Sequence, residues 1–247
     1  MEPTSTTPVS STSSYAMPAA IIIAGTLIAG GLYFGMAKGS QNQPAGAAAK
    51  ASVDVKDVKI TADDPYIGKS DAPVTLVYWF DYQCPYCKAV DVGGIPQINI
   101  EPAFPTLIKN YVDTGKLKIV FKDYPFLGQD SVTAALYEHA IWATYPDKFL
   151  AWHTAMFKAQ DAEGDQGFGN EQSILQLITT IPGMDGTKLK ALVAKNKDAY
   201  TKAMNDDQAE GAKFGVTGTP GFITGKQSID GAVPLSTFTA AIDPQLK

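Results

Sequence analysis

The sequence predicts an α/β domain whose sheet is interrupted midway by a block of helices. Three observations predict it. Val74–Phe80 is a nearly continuous run of apolar β-formers, the mark of a buried central strand. Cys84-Pro85-Tyr86-Cys87, which holds the only two cysteines, follows that strand and opens a helix. After a long stretch of helical periodicity, the pattern returns to period two at 221–224 and 227–230.

In chain order, residues 1–17 are rich in Ser, Thr and Pro and are expected to be disordered. Residues 18–37 form an uncharged apolar run of 20 residues. As a helix rising about 1.5 Å per residue, it would match the roughly 30 Å hydrocarbon core of a bilayer. A cleaved signal peptide competes with a transmembrane anchor here. Ala47-Ala48-Ala49 offers small residues for cleavage but lies far from the apolar core, and no Lys or Arg precedes the run. An uncleaved anchor is the preferred reading. Lys38 alone would argue for a cytoplasmic C-terminal domain, but long domains translocate largely regardless of charge. Residues 38–56 read as a flexible linker, most clearly over 38–52, and the folded domain occupies 57–247 with its first ordered residues near Val53.

Within the domain, the helix opened at Cys84 is interrupted by Gly93-Gly94-Ile95-Pro96. A second helical stretch covers 103–113, and Thr114-Gly115 turns into a strand at 117–121. The helical insertion spans about 126–213. Ser131 is the expected cap of its first helix, Asp147 of the next and Asn170 of a third that Pro182-Gly183 stops. Leu189, Leu192 and Val193 mark a fourth helix, and Tyr200, Met204 and Phe214 a fifth. A hairpin turning at Gly225-Lys226 follows, and then a closing helix over 234–242.

Composition excludes several functions. The net charge is −5 and all twenty basic residues are Lys, so neither a basic face nor arginine forks are available for nucleic acid. Two cysteines cannot make a disulfide framework or a Cys₄ zinc site. His139 and His153 show no ligand spacing with them, and no metal is expected. The acidic segment 161–165 lacks the ligand run of a calcium loop.

The chemistry that remains is thiol–disulfide exchange. Two cysteines on one helical turn reach disulfide geometry without large strain. At the helix start, free N–H groups and the positive end of the dipole stabilise a Cys84 thiolate, moving its pKa from about 8.5 toward roughly 3.5–7.5. Pro85 suits the first turn, where its missing N–H would be unpaired anyway. Cys87, deeper in the helix, is the natural resolving thiol. Tyr86 supplies an aromatic rim. Gly218-Thr219-Pro220-Gly221 enters the hairpin, and its X–Pro bond is a candidate cis peptide.

These segments together resemble the DsbA-like thiol–disulfide oxidoreductases of the thioredoxin superfamily, and in particular their membrane-anchored bacterial forms. The similarity covers residues 61–242. It is carried by Asp71-Ala72-Pro73-Val74-Thr75-Leu76, Asp81-Tyr82-Gln83-Cys84-Pro85-Tyr86-Cys87, Phe121-Lys122-Asp123-Tyr124-Pro125 and Phe214-Gly215-Val216-Thr217-Gly218-Thr219-Pro220. The resemblance implies a thioredoxin-like fold with a central mixed sheet and an inserted helical subdomain. It implies Cys84 as nucleophile, Cys87 as resolving thiol and Pro220 as a cis-proline packed over them. Thr219 would offer backbone groups to an extended substrate, and Tyr86 would border it. The implied cofactor is the protein's own disulfide. A quinone-linked membrane partner of the DsbB or vitamin-K-epoxide-reductase type would re-oxidise it, and the catalytic domain would stand outside the cytoplasm.

Two departures from the family stand out. Many relatives carry a buried acid six residues before the first cysteine, where this chain has Tyr78, so water or the phenol must carry the resolving thiol's proton. Extra length at 93–101 either reshapes the groove or forms a harmless kink. Elsewhere, His139 and His153 read as core or boundary histidines and Trp79 as core packing. Lys88 stabilises the thiolate or is simply solvated. Tyr82 and Tyr86 face substrate or wall off the site. The leading function is an oxidase that donates its disulfide to exported, reduced polypeptides. A reductase or isomerase is the alternative, with isomerase ranked last because 38–60 is too short for a dimerisation domain. A peptide-binding, chaperone-like module is the alternative from another class.

Overall fold

The computed structural model describes residues 53–161 and 168–247. The expected tail, the apolar span at 18–37 and the linker up to residue 52 lie outside the described residues. Among the described residues, no helix is long and apolar enough to cross a membrane.

Five strands form one mixed sheet: β1 (Tyr66–Ile67), β2 (Val74–Phe80), β3 (Leu117–Asp123), β4 (Gly221–Thr224) and β5 (Gln227–Asp230). Their spatial order is β1-β3-β2-β4-β5. β2 and β3 run parallel in the register Val74↔Leu117 to Phe80↔Asp123, and every other pairing is antiparallel. The central strands are buried on both faces, which is why β2 reads as continuously apolar rather than alternating. Leu76, Tyr78 and Phe80 enter the main core with Leu117, Ile119, Phe121 and Phe222. Val77 and Trp79 point to the other face with Val120, Val216 and Ile223. Each such fully buried apolar side chain contributes on the order of 1.5–3 kcal/mol.

The helices are α1 (Pro85–Asp91), α2 (Ala103–Leu107), α3 (Gln129–Thr144), α4 (Phe149–Ala159), α5 (Glu171–Thr179), α6 (Gly186–Lys213) and α7 (Leu235–Ile242). α2 runs on as a π-turn over Ile108–Val112. Strand, helix, strand, helical block, hairpin and helix therefore occur in the expected order, with corrections. α3 begins at Gln129 behind Gly128, so Ser131 is a buried first-turn residue facing Asp81 and not the cap. Asp147 lies in a 3₁₀ turn ahead of α4 and does not cap it. Asn170 does cap α5, its side chain accepting the Ser173 N–H at 3.0 Å. The expected fourth and fifth helices are one, α6, which Asp185 caps and nothing interrupts for 28 residues. The strand β1, too short for a periodic signal, pairs with β3 at the sheet edge. Residues 53–56, expected in the linker, are packed. Val53 is buried with Val58 against Val77 and Trp79, and the Val55 N–H reaches the Gly225 carbonyl at 2.7 Å.

Candidate active site

Cys84 ends the loop leaving β2 and serves as the N-cap of α1, its backbone still extended at φ −77° and ψ 119°. Pro85 takes the first helical position, as its missing N–H permits. Asp81 holds the loop in place. Its carboxylate accepts the N–H groups of Gln83 at 2.8 Å, Phe126 at 2.9 Å and Leu127 at 3.1 Å. Its carbonyl accepts the Cys84 N–H at 3.0 Å. One buried carboxylate thus joins the loops that follow β2 and β3, and burial raises its pKa. From the helical block, Gln160 Nε2 donates to the carbonyls of Tyr82 at 2.6 Å and Cys84 at 3.1 Å. The Gln160 carbonyl in turn accepts Lys88 Nζ at 2.7 Å.

Both cysteines are free thiols. Cys84 Sγ donates to the Thr219 carbonyl at 3.4 Å, and the Thr219–Pro220 peptide bond is cis. The Cys84 pKa is drawn down to about 7. Hydrogen bonding from the Cys87 thiol is the largest cause, burial opposes it, and the Thr219 side chain and the Cys87 and Tyr86 N–H groups add to it. Burial pushes the Cys87 thiol well up, and the adjacent Cys84 adds to the rise through its hydrogen bond and charge. Two thiols one helical turn apart are therefore shifted in opposite directions, Cys84 being about half thiolate at neutral pH while Cys87 keeps its proton. The acidic one lies at the opening and the reluctant one beneath it, as an attacking and a resolving sulfur require.

The structure also places the other residues singled out from the sequence. Tyr86 is exposed, as is Phe126 on the neighbouring loop, so the rim is aromatic. Tyr82 is buried and cannot face substrate, and its hydroxyl meets His153 Nδ1 at 3.1 Å. Lys88 is not simply solvated, its ammonium donating to the Gln160 carbonyl. His153 is enclosed against Asp91, with Nε2 to Oδ1 at 2.7 Å, and His139 lies 2.9 Å from Asp123. Trp79 packs in the core and donates to the Asp207 carbonyl at 2.9 Å. Asp81, Asp91 and Gln160 were not singled out from sequence. Asp91 had a readable signal, since it lies four residues after Cys87 and therefore on the same helix face. Asp161 accepts the Phe168 N–H, while the rest of the acidic segment expected not to bind calcium lies outside the described residues.

The thioredoxin family model matches residues 61–244. The chain belongs to the thioredoxin family. Disulfide bond formation protein D of Bacillus subtilis (strain 168) is 28% identical over 192 residues, spanning 74% of this chain and 77% of that protein. Oxidised BdbD from Bacillus subtilis superposes with a TM-score of 0.63 at 26% identity, over 74% of this chain and 93% of that one. The thiol-disulfide exchange protein alpha-DsbA2 from Wolbachia pipientis superposes with a TM-score of 0.60 at 27% identity, over 73% and 86%. This thioredoxin-family domain is a protein-disulfide oxidoreductase, and the matched residues 61–244 take in the sheet, the helical insertion and the loop that carries Pro220.

Proposed function

We propose that the domain is an oxidase that hands a Cys84–Cys87 disulfide to reduced, exported polypeptides. The observation that carries this reading is the opposed shift of the two sulfurs, at a helix start where Cys84 caps α1 and Cys87 is enclosed beneath it. A stabilised Cys84 thiolate favours the reduced form and makes the disulfide a better oxidant. The relative's name, disulfide bond formation protein, supports the same direction. In this reading Cys84 is attacked by the substrate thiolate and Cys87 leaves. Thr219, Pro220 and Tyr86 border the bound chain, and Pro85 shapes the turn. The domain works outside the cytoplasm, tethered through residues 18–37, and a quinone-linked membrane protein of the DsbB or vitamin-K-epoxide-reductase type renews its disulfide. A periplasmic thioredoxin-like protein from Salmonella enterica among the structural neighbours supports that location.

One observation favours a reductase instead. A Cys84 pKa of about 7 resembles the roughly 7 of thioredoxin more than the roughly 3.5 of the strongest oxidant in the superfamily. Equilibrating the protein with glutathione separates the two. A potential near about −120 mV supports the oxidase, and one near about −270 mV turns the assignment to a reductase. A chaperone-like module would bind unfolded chains equally well after Cys84→Ser and would show no exchange activity to lose.

A further inference from the structure

Cys87 is wholly enclosed, yet its proton must move in every cycle. When Cys87 attacks a mixed disulfide on Cys84 it sheds a proton, and when it is displaced it must regain one. No carboxylate stands on β2 beneath it. Tyr78 stands there, fully buried in the same core cluster as Cys87 and near enough for the sulfur to help raise the phenol's pKa. The Tyr78 hydroxyl donates to Asp91 Oδ2 at 2.8 Å. Asp91 Oδ1 lies 2.7 Å from His153 Nε2, and His153 Nδ1 lies 3.1 Å from the Tyr82 hydroxyl. Asp91 also lines a surface pocket of about 290 Å³ between α1, α2 and α4, together with Phe104, Thr154 and Lys158. The carboxylate therefore touches the buried phenol on one side and a way out to solvent on the other.

We propose that Tyr78 and Asp91 form the proton relay of the resolving thiol, with the carboxylate supplied by α1 and joined to the sulfur through a phenol. As Cys87 Sγ bonds to Cys84 Sγ, its proton passes to the Tyr78 oxygen while the Tyr78 proton passes to Asp91. The bond between Cys84 and the partner sulfur breaks, and the partner leaves as a thiolate with that electron pair. The Cys87 sulfur is oxidised, the partner sulfur is reduced, and Cys84 stays at the disulfide level throughout this step. Asp91 ends protonated and discharges through the pocket, and opening the disulfide runs the same transfers backwards. In this relay Tyr78 exchanges the proton with the reacting sulfur itself, whereas Asp91 acts through Tyr78 and is a positioning residue. Burial and the Asp91 charge hold the phenol's pKa well above its ordinary value, so Tyr78 passes a proton on without storing negative charge. The ionisable groups around Asp91 are Tyr78 from β2, His153 from α4 with Tyr82 behind it, Cys87 beyond the phenol and Lys158 at the pocket.

This relay rests on Cys84 attacking and Cys87 resolving. The test mixes the reduced full chain with an aromatic disulfide that releases a coloured thiol twice, first as Cys84 attacks and then as Cys87 resolves. In Asp91→Asn and Tyr78→Phe the first release should stay within about threefold of the unaltered protein, while the second slows at least about tenfold at pH 7. The slowing should shrink as pH rises and hydroxide takes the proton. The double variant should be no slower than the slower single one, because both changes cut the same relay. An unchanged second release, an equal slowing at every pH, or losses that multiply in the double variant would overturn the relay. Should Asp91→Asn fail to fold, Tyr78→Phe and its pH profile decide alone. A missing first release in the unaltered protein would instead sink the Cys84 assignment, and the relay with it.

Discussion

Cys84 and Cys87 are chemically identical, and their surroundings alone make them differ. Cys84 gains hydrogen bonds from the Cys87 thiol and from N–H groups at the start of α1, so its thiolate is stabilised to a pKa of about 7. For Cys87, burial and the neighbouring sulfur outweigh the hydrogen bonds from the Asp81 backbone and the Thr219 side chain. Because the folded pKa of Cys84 lies below its unfolded value of about 8.5, its contribution to the stability of the reduced protein is full above that value. It is lost as pH falls through about 7. Alkylation of the reduced protein by iodoacetamide should therefore modify Cys84 with a midpoint near pH 7, while Cys87 stays unmodified at pH 8. Equal labelling of both, read by peptide mass mapping, would contradict this. Cys84 and Pro85 were legible because capping chemistry is local. Which of its two readings Tyr82 takes was not legible, because its burial comes from α4, some 70 residues away in the chain, where His153 meets its hydroxyl.

At the scale of elements, the site is a junction of three. The loop after β2 is tied to the loop after β3 by the Asp81 carboxylate, and to the end of α4 by Gln160. Gln160 is buried and satisfies two carbonyls of the active-site loop with one amide nitrogen. Gln160→Ala leaves those carbonyls without that donor, and should cost about 1–3 kcal/mol, read by urea denaturation. A change of less than a few tenths of a kcal/mol would mean that water replaces the amide. Helix order was readable from periodicity, but helix boundaries were not. Ser131 carries cap chemistry, yet its hydroxyl faces Asp81 from inside α3. Two apolar clusters read as two helices, whereas nothing between Gly186 and Lys213 breaks α6.

Across the whole molecule, the unusual feature is a buried excess of acid around one lysine. Lys122 Nζ donates to Asp64 at 2.9 Å and Asp207 at 2.8 Å, with Glu210 at 3.5 Å. Asp123 and Glu138 are also buried nearby. A single ammonium cannot balance them all, so burial raises Asp207 to about 7 and lifts Glu138 well above the carboxylate range. Desolvation lowers the His139 pKa, but Asp123, Asp207 and Asp64 together outweigh it, so His139 is raised too. Groups with raised folded pKa values hold protons that the unfolded chain has released, so stability falls as pH rises through the interval from about 4 to 7 and beyond. Glu171 and Asp206 are lowered by Lys190 and Lys202, but they lie on the surface and count for little. The melting temperature should be higher at pH 5 than at pH 8, and Asp207→Asn should flatten that slope. A melting temperature that climbs from pH 5 to pH 8 would refute the assignment.

What the sequence determined by itself is what local chemistry can carry: the buried strand, the dithiol at a helix start, the return to a hairpin, and the order of elements between them. These depend on neighbours within one strand or one turn, so period and spacing record them. Only the tertiary structure decided which carboxylate serves the buried sulfur. Tyr78 lies on β2, Asp91 at the end of α1 and His153 in α4, and no periodic pattern links them. They meet because the sheet and the helical block close over one core, and enclosure leaves each polar group no partner except another buried one.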